Sequence, residues 1–178
     1  MSRLASLKQR HAELRDRRWY RWGTDLLLVA VAIVLISAWQ TRGHVRDVPL
    51  PELTLQTLDG EPLALGSLEG KPTLLAFWAP WCGVCRAESP NISWVQELAG
   101  EKANVLSVVV SYGELAEVRG YVAAQEVDYP VLLAGDALAA ELKVASYPTV
   151  YFLDREGKVK GSAVGYTTTL GLLARLFL

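Results

Sequence analysis

Two cysteines three positions apart constrain this chain more than any other feature. Cys82 and Cys85 are its only cysteines in 178 residues. An apolar run, Thr73-Leu74-Leu75-Ala76-Phe77-Trp78, enters the pair, and a helical stretch over residues 86–98 leaves it. A strand that delivers Cys82-Gly83-Val84-Cys85 to a helix start has a direct chemical use. First-turn N–H groups lack intrahelical partners, and the helix dipole is positive there. Both favour a thiolate, so Cys82 is expected to have a lowered pKa and to be the attacking nucleophile. Cys85, one turn further on, is close enough to close a disulfide onto it. Such a dithiol gains and loses two electrons by thiol–disulfide exchange.

A metal-binding reading competes with this. A structural zinc site needs two more Cys or His ligands. The only histidines, His11 and His44, precede the apolar run by a wide margin. A two-coordinate copper(I) thiolate site is open on grounds of softness, although the sole methionine is Met1. No resident metal and no cofactor beyond the cysteine pair is expected.

The stretch Phe77-Trp78-Ala79-Pro80-Trp81-Cys82-Gly83-Val84-Cys85 resembles the active site of the thioredoxin superfamily. A leading hairpin and the later Ser146-Tyr147-Pro148-Thr149-Val150-Tyr151-Phe152-Leu153-Asp154 narrow the resemblance to the TlpA-like branch. That branch holds membrane-anchored extracytoplasmic thioredoxins of cytochrome c maturation and copper tolerance. The resemblance implies a cis peptide bond at Pro148 beside the redox pair, with Tyr147 presenting its backbone to substrate. Trp78 and Trp81 would shape the site around Gly83 and Val84. Many thioredoxins carry a buried Asp six residues before the first cysteine; Ala76 stands there in this chain. Glu88 matches the family's alternative acid. It lies three residues after Cys85, on the same helix face, and is expected to take the Cys85 proton. The other reading of Glu88 is a solvated helix carboxylate.

The N-terminal part has its own signature. Residues 1–21 are basic, with seven Lys and Arg against Glu13 and Asp16. Residues 22–41 carry Asp25 as the only charge, and 20 helical residues reach about 30 Å, a bilayer core. Trp19, Tyr20 and Trp22 sit at one end and Trp39 at the other, as interfacial anchors do. A cleaved signal peptide or a buried core helix are the alternatives, but Ser37-Ala38-Trp39 is a poor cleavage site. The expectation is an uncleaved single-pass anchor in a bacterial inner membrane, with the basic end cytoplasmic and the rest periplasmic. A linker over 42–50 then leads to one domain over 51–178. From Val48 onward nine Lys and Arg face fifteen Asp and Glu, a net of −6, which argues against nucleic-acid binding.

Within the domain, strand patterns fall at residues 53–58 and 62–65 around Asp59-Gly60, a hairpin signal. Further strands are expected at 73–78, 104–110, 129–133, 149–153 and 159–164. Helices are expected at 113–125, with Leu115, Val118 and Val122 on one face, at 136–143 with Asp136 as N-cap, and at 167–177. Pro90 either kinks the active-site helix or ends it at Ser89. The order predicts a thioredoxin-like three-layer α/β/α sandwich with a mixed sheet and an N-terminal hairpin, preceded by one transmembrane helix.

The expected function is thiol–disulfide exchange with protein substrates and a membrane thiol–disulfide electron-transfer partner. Cys82 attacks and Cys85 resolves. The uncharged Gly83-Val84 pair does little to stabilise a thiolate, which points to a reductant over an oxidant. A copper(I)-binding redox module is the alternative.

Overall fold

The computed structural model describes residues 22–29, 31–32 and 53–178. The chain divides into two compact units, Met1–Arg42 and Gly43–Leu178. In the first, residues 22–29 and 31–32 are helical. Among the described residues no helix is long and apolar enough to cross a membrane. The remainder of the expected 22–41 span, the basic 1–21 stretch and the 42–50 linker lie outside the described residues.

The second unit is built on seven strands: β1 (Thr54–Thr57), β2 (Pro62–Ala64), β3 (Thr73–Trp78), β4 (Asn104–Val109), β5 (Val131–Leu133), β6 (Thr149–Leu153) and β7 (Val159–Val164). They form one sheet in the order β2-β1-β5-β4-β3-β6-β7. β3 pairs parallel with β4 and antiparallel with β6, so the sheet is mixed. β1 and β2 make the expected hairpin, turning through Gly60 at φ +89°, a left-handed conformation that glycine adopts without strain.

The helices are α1 (Gly83–Ala99), α2 (Leu115–Ala124), α3 (Asp136–Glu141) and α4 (Thr169–Phe177). Every residue of β3 is buried, and successive side chains point to opposite faces. Leu75 and Phe77 pack with Leu138 and Leu142 around α3, together with Tyr151 and Leu153 of β6. Leu74 and Ala76 pack with Ile92 and Val95 of α1 and Leu172 and Leu176 of α4. The sheet thus lies between two helical layers, as the thioredoxin-like sandwich requires. Each such Leu or Phe, moved from water to core, stabilises by roughly 1.5–3 kcal/mol.

Four local expectations need correction. α1 begins at Gly83, not at residue 86, because the Cys82 sulfur itself accepts the Cys85 N–H at 3.1 Å and acts as N-cap. α1 runs unbroken through Pro90, so it does not end at Ser89. Gly135, not Asp136, is the N-cap of α3. On α2, Leu115 is exposed, and Tyr121 joins Val118 on the buried face instead.

Candidate active site

The site forms where β3 runs into α1. Cys82 N–H donates to the Ala79 carbonyl in a tight turn, and Arg86 N–H to the Cys82 carbonyl. Cys82 and Cys85 are joined in a disulfide with Cα atoms 5.3 Å apart. Both are buried, in a cluster with Trp78, Ala79, Val109, Val118, Tyr121 and Val131. The N–H that Cys85 directs at the Cys82 sulfur is the contact that stabilises a thiolate once the bond opens. Only Cys82 has this helix-cap position, so the two sulfurs are chemically unequal.

The aromatic surroundings are divided. Trp78 is buried and stacks on Tyr121, centroids 4.1 Å apart at 28°. Trp81 is 63% exposed. Its indole N–H donates to the Ser111 carbonyl at 2.9 Å, and its ring meets Tyr147 edge-on at 5.9 Å. Ser111, two residues past the end of β4, holds φ +53°, unusual for a residue with a side chain. The Tyr147–Pro148 bond is cis. Pro148 is buried and its carbonyl accepts from Gly165 N–H, while the Tyr147 backbone has no hydrogen-bond partner among the described residues. Gly83 and Val84 are exposed on the first turn of α1. A Cβ at Gly83 would meet nothing within 4 Å, so glycine leaves open space beside Cys82.

Glu88 is 1% exposed, which rules out the solvated-carboxylate reading. Its Oε1 accepts the Thr167 backbone N–H at 2.8 Å, while Oε2 is buried without a hydrogen-bond partner among the described residues. Burial raises its pKa to about 7, against the opposing pull of the Thr167 hydrogen bonds. No hydrogen bond joins it to either cysteine in the disulfide state. Next to it, Ser89 Oγ and Tyr129 Oη lie 2.9 Å apart. Burial pushes Tyr121 up to about 12, with Ser89 and the Arg86 charge acting the other way.

Of the residues expected at the site, Cys82, Cys85, Trp78 and Tyr147 meet in one cluster, and Trp81 touches Tyr147. Sequence reasoning missed Ser111, Thr167, Tyr121 and Arg86. Tyr121 was findable, being three residues after Val118 on a helix. Ser111 acts through its carbonyl and Thr167 chiefly through its N–H, and neither left a trace in the sequence. Among the described residues no group of three or more His, Cys, Asp or Glu could hold a metal ion.

A model of the Redoxin family matches residues 46–171. The chain belongs to the redoxin family. Its relatives include the thioredoxin-like protein YneN of Bacillus subtilis, 36% identical over 120 residues, 66% of this chain and 71% of that protein. A thioredoxin-like protein of Haemophilus influenzae is 35% identical over 168 residues, 92% of this chain and 96% of its own length. Among solved structures, a secreted Mycobacterium tuberculosis disulfide oxidoreductase homologous to E. coli DsbE superimposes with a TM-score of 0.62. It is 25% identical, over 70% of this chain and 94% of the other. This redoxin is a thiol–disulfide oxidoreductase with a thioredoxin-like fold, and the TlpA-like branch of the superfamily is supported.

Proposed function

We propose that this redoxin is a membrane-anchored, periplasm-facing oxidoreductase that reduces disulfides in substrate proteins. One observation carries the chemistry: the Cys82 sulfur is capped by the Cys85 N–H at the start of α1. In the reduced form the Cys82 thiolate attacks a substrate disulfide. A Cys82–substrate mixed disulfide forms and a substrate thiolate leaves. The Cys85 thiol then loses its proton and attacks the Cys82 sulfur, re-forming the Cys82–Cys85 bond and releasing the second substrate thiol. Glu88, buried and nearly half-protonated at neutral pH, is the acceptor for that proton.

The substrate segment lies along the Tyr147 backbone in β fashion, beside cis-Pro148. The unpaired backbone groups of Tyr147 support this, as does the Trp81 ring against its side chain. A membrane thiol–disulfide protein returns the electrons. The basic arm over 1–21 and the apolar stretch over 22–41 support an inner-membrane anchor with this domain outside the cytoplasm.

The reductant assignment rests on the uncharged Gly83-Val84 pair. Equilibration in glutathione buffers tests it. A potential near that of thioredoxin, about −270 mV, fits a reductant, and one near that of DsbA, about −120 mV, makes the protein an oxidant.

A further inference from the structure

A cleft of about 460 Å³ lies next to the active-site turn, lined by Pro80 and Trp81 immediately before Cys82. Pro80, Trp81 and Arg86 line one wall. Glu117, Gly120 and Tyr121 are prominent on the other, which is α2. Its volume is in the range of clefts that bind small ligands or side chains. Tyr121, which lines the cleft, also belongs to the buried cluster that holds Cys82 and Cys85.

Two features suit this space to an occupant from outside. Gly120 sits inside a helix, where glycine costs about 1 kcal/mol relative to alanine. It is exposed, has no positive φ, and a Cβ there would meet nothing within 4 Å. Neither backbone conformation nor internal packing demands it; its effect is to keep the wall low. Second, the cleft holds one cation, Arg86, whose charge already acts on Tyr121. The Arg86 guanidinium forms no hydrogen bond or ion pair among the described residues. Glu117 opposite is already committed, its Oε2 accepting the Gly113 N–H at 3.2 Å at the start of α2.

We infer that this cleft is a substrate subsite. It takes a carboxylate-bearing side chain, Asp or Glu, that flanks the substrate's reacting cysteine, and Arg86 determines that preference. The inference rests on the oxidoreductase reading and adds to it a second contact besides the Tyr147 backbone. Trp81 is the shared wall between the two. The chemistry is unchanged: protein dithiol and peptide disulfide exchange two electrons, giving protein disulfide and peptide dithiol.

The test uses the reduced full-length protein and a set of peptide disulfides. The peptides differ only in Glu or Lys at each of the three positions on either side of a cysteine. The readout is the ratio of kcat/KM for the Glu and Lys members of each pair. That ratio cancels any change in Cys82 reactivity. Wild type is expected to favour Glu by about fivefold at one position or more, near the upper end for an ion pair in contact with water. The preference should shrink in 1 M salt, where the Debye length is about 3 Å. Arg86→Glu should invert it. Arg86 is exposed and an acid in the first turn suits the helix dipole, so this variant is expected to fold. Gly120→Leu alters no charge and improves helix propensity, but fills the cleft; its ratio should fall towards one. Equal ratios in wild type and Arg86→Glu overturn the subsite. Failure of wild type to reduce any peptide overturns the proposed reductant role, and the subsite with it.

Discussion

Glu88 and Thr167 are 79 positions apart in the chain, yet the Glu88 carboxylate is held by the Thr167 backbone N–H at 2.8 Å. This bond ties the active-site helix α1 to the segment that starts α4. It accounts for one carboxylate oxygen only, and the other stays buried and unpartnered among the described residues.

Removal of that carboxylate should flatten part of the pH–stability curve. The folded-state pKa of Glu88 is about 7 and its ordinary value 4.5. The folded state therefore holds the proton more tightly than the unfolded chain. That contribution is complete below about pH 4.5 and is lost as pH rises through about 7. The loss amounts to about 3 kcal/mol. In urea titrations of the oxidised protein, Glu88→Gln should lack this decline. Parallel curves for variant and wild type between pH 4 and 8 would refute it.

Glu88→Gln should also slow proton loss from Cys85. Alkylation rate against pH, measured in a Cys82→Ser background so that only Cys85 reports, should shift relative to the unsubstituted acid. Coincident profiles would mean that the proton goes straight to water.

Cys85→Ser should trap mixed disulfides on Cys82, visible as thiol-sensitive bands on non-reducing gels. Without a resolving thiol the intermediate decays only by external attack. Cys82→Ser should trap far less, since Cys85 lacks the helix-cap position. Equal trapping by the two variants would contradict the assigned roles.

Pro90→Ala should stabilise the protein by about 1–2 kcal/mol in urea unfolding. Pro90 is exposed inside α1 and offers no N–H to the Arg86 carbonyl. Alanine restores that donor, partly offset by the greater freedom it gives the unfolded chain. A loss of stability instead would mean that the local shape imposed by proline is itself needed.

A periplasm-active reporter fused after Leu178 should be active, and the full-length protein should sediment with membranes. Reporter activity confined to the cytoplasm would reverse the topology. A soluble product beginning near Trp39 would show cleavage.

The route from β3 through Cys82 to α1 was legible because a buried strand, two cysteines and a helix follow each other without a gap. The Asp59-Gly60 hairpin was legible for a similar reason: turn chemistry acts within four residues. The start of α1 was not, because capping rules look for oxygen side chains and Cys82 caps with sulfur. Gly135 stands at the N-cap of α3 in ordinary extended backbone with no side-chain cap bond, and Asp136 falls one residue later, in the first turn, where its charge suits the helix dipole. Ala76 read correctly as a missing acid; it packs among Val95 and Phe152. Glu88 could be named as the candidate replacement from its spacing to Cys85, but its bond to the Thr167 N–H joins residues that no local pattern connects.

β3 lies in the interior of the sheet, with a hydrogen-bonded neighbour on each side, whereas the β1–β2 hairpin and β7 lie at the margins. Local opening begins where the fewest bonds must break, at edges and loops. The strand that delivers the sulfurs is therefore among the last parts of this domain to open. The margins can fray and re-form, or be nicked by a protease, on timescales much shorter than the lifetime of the reactive end.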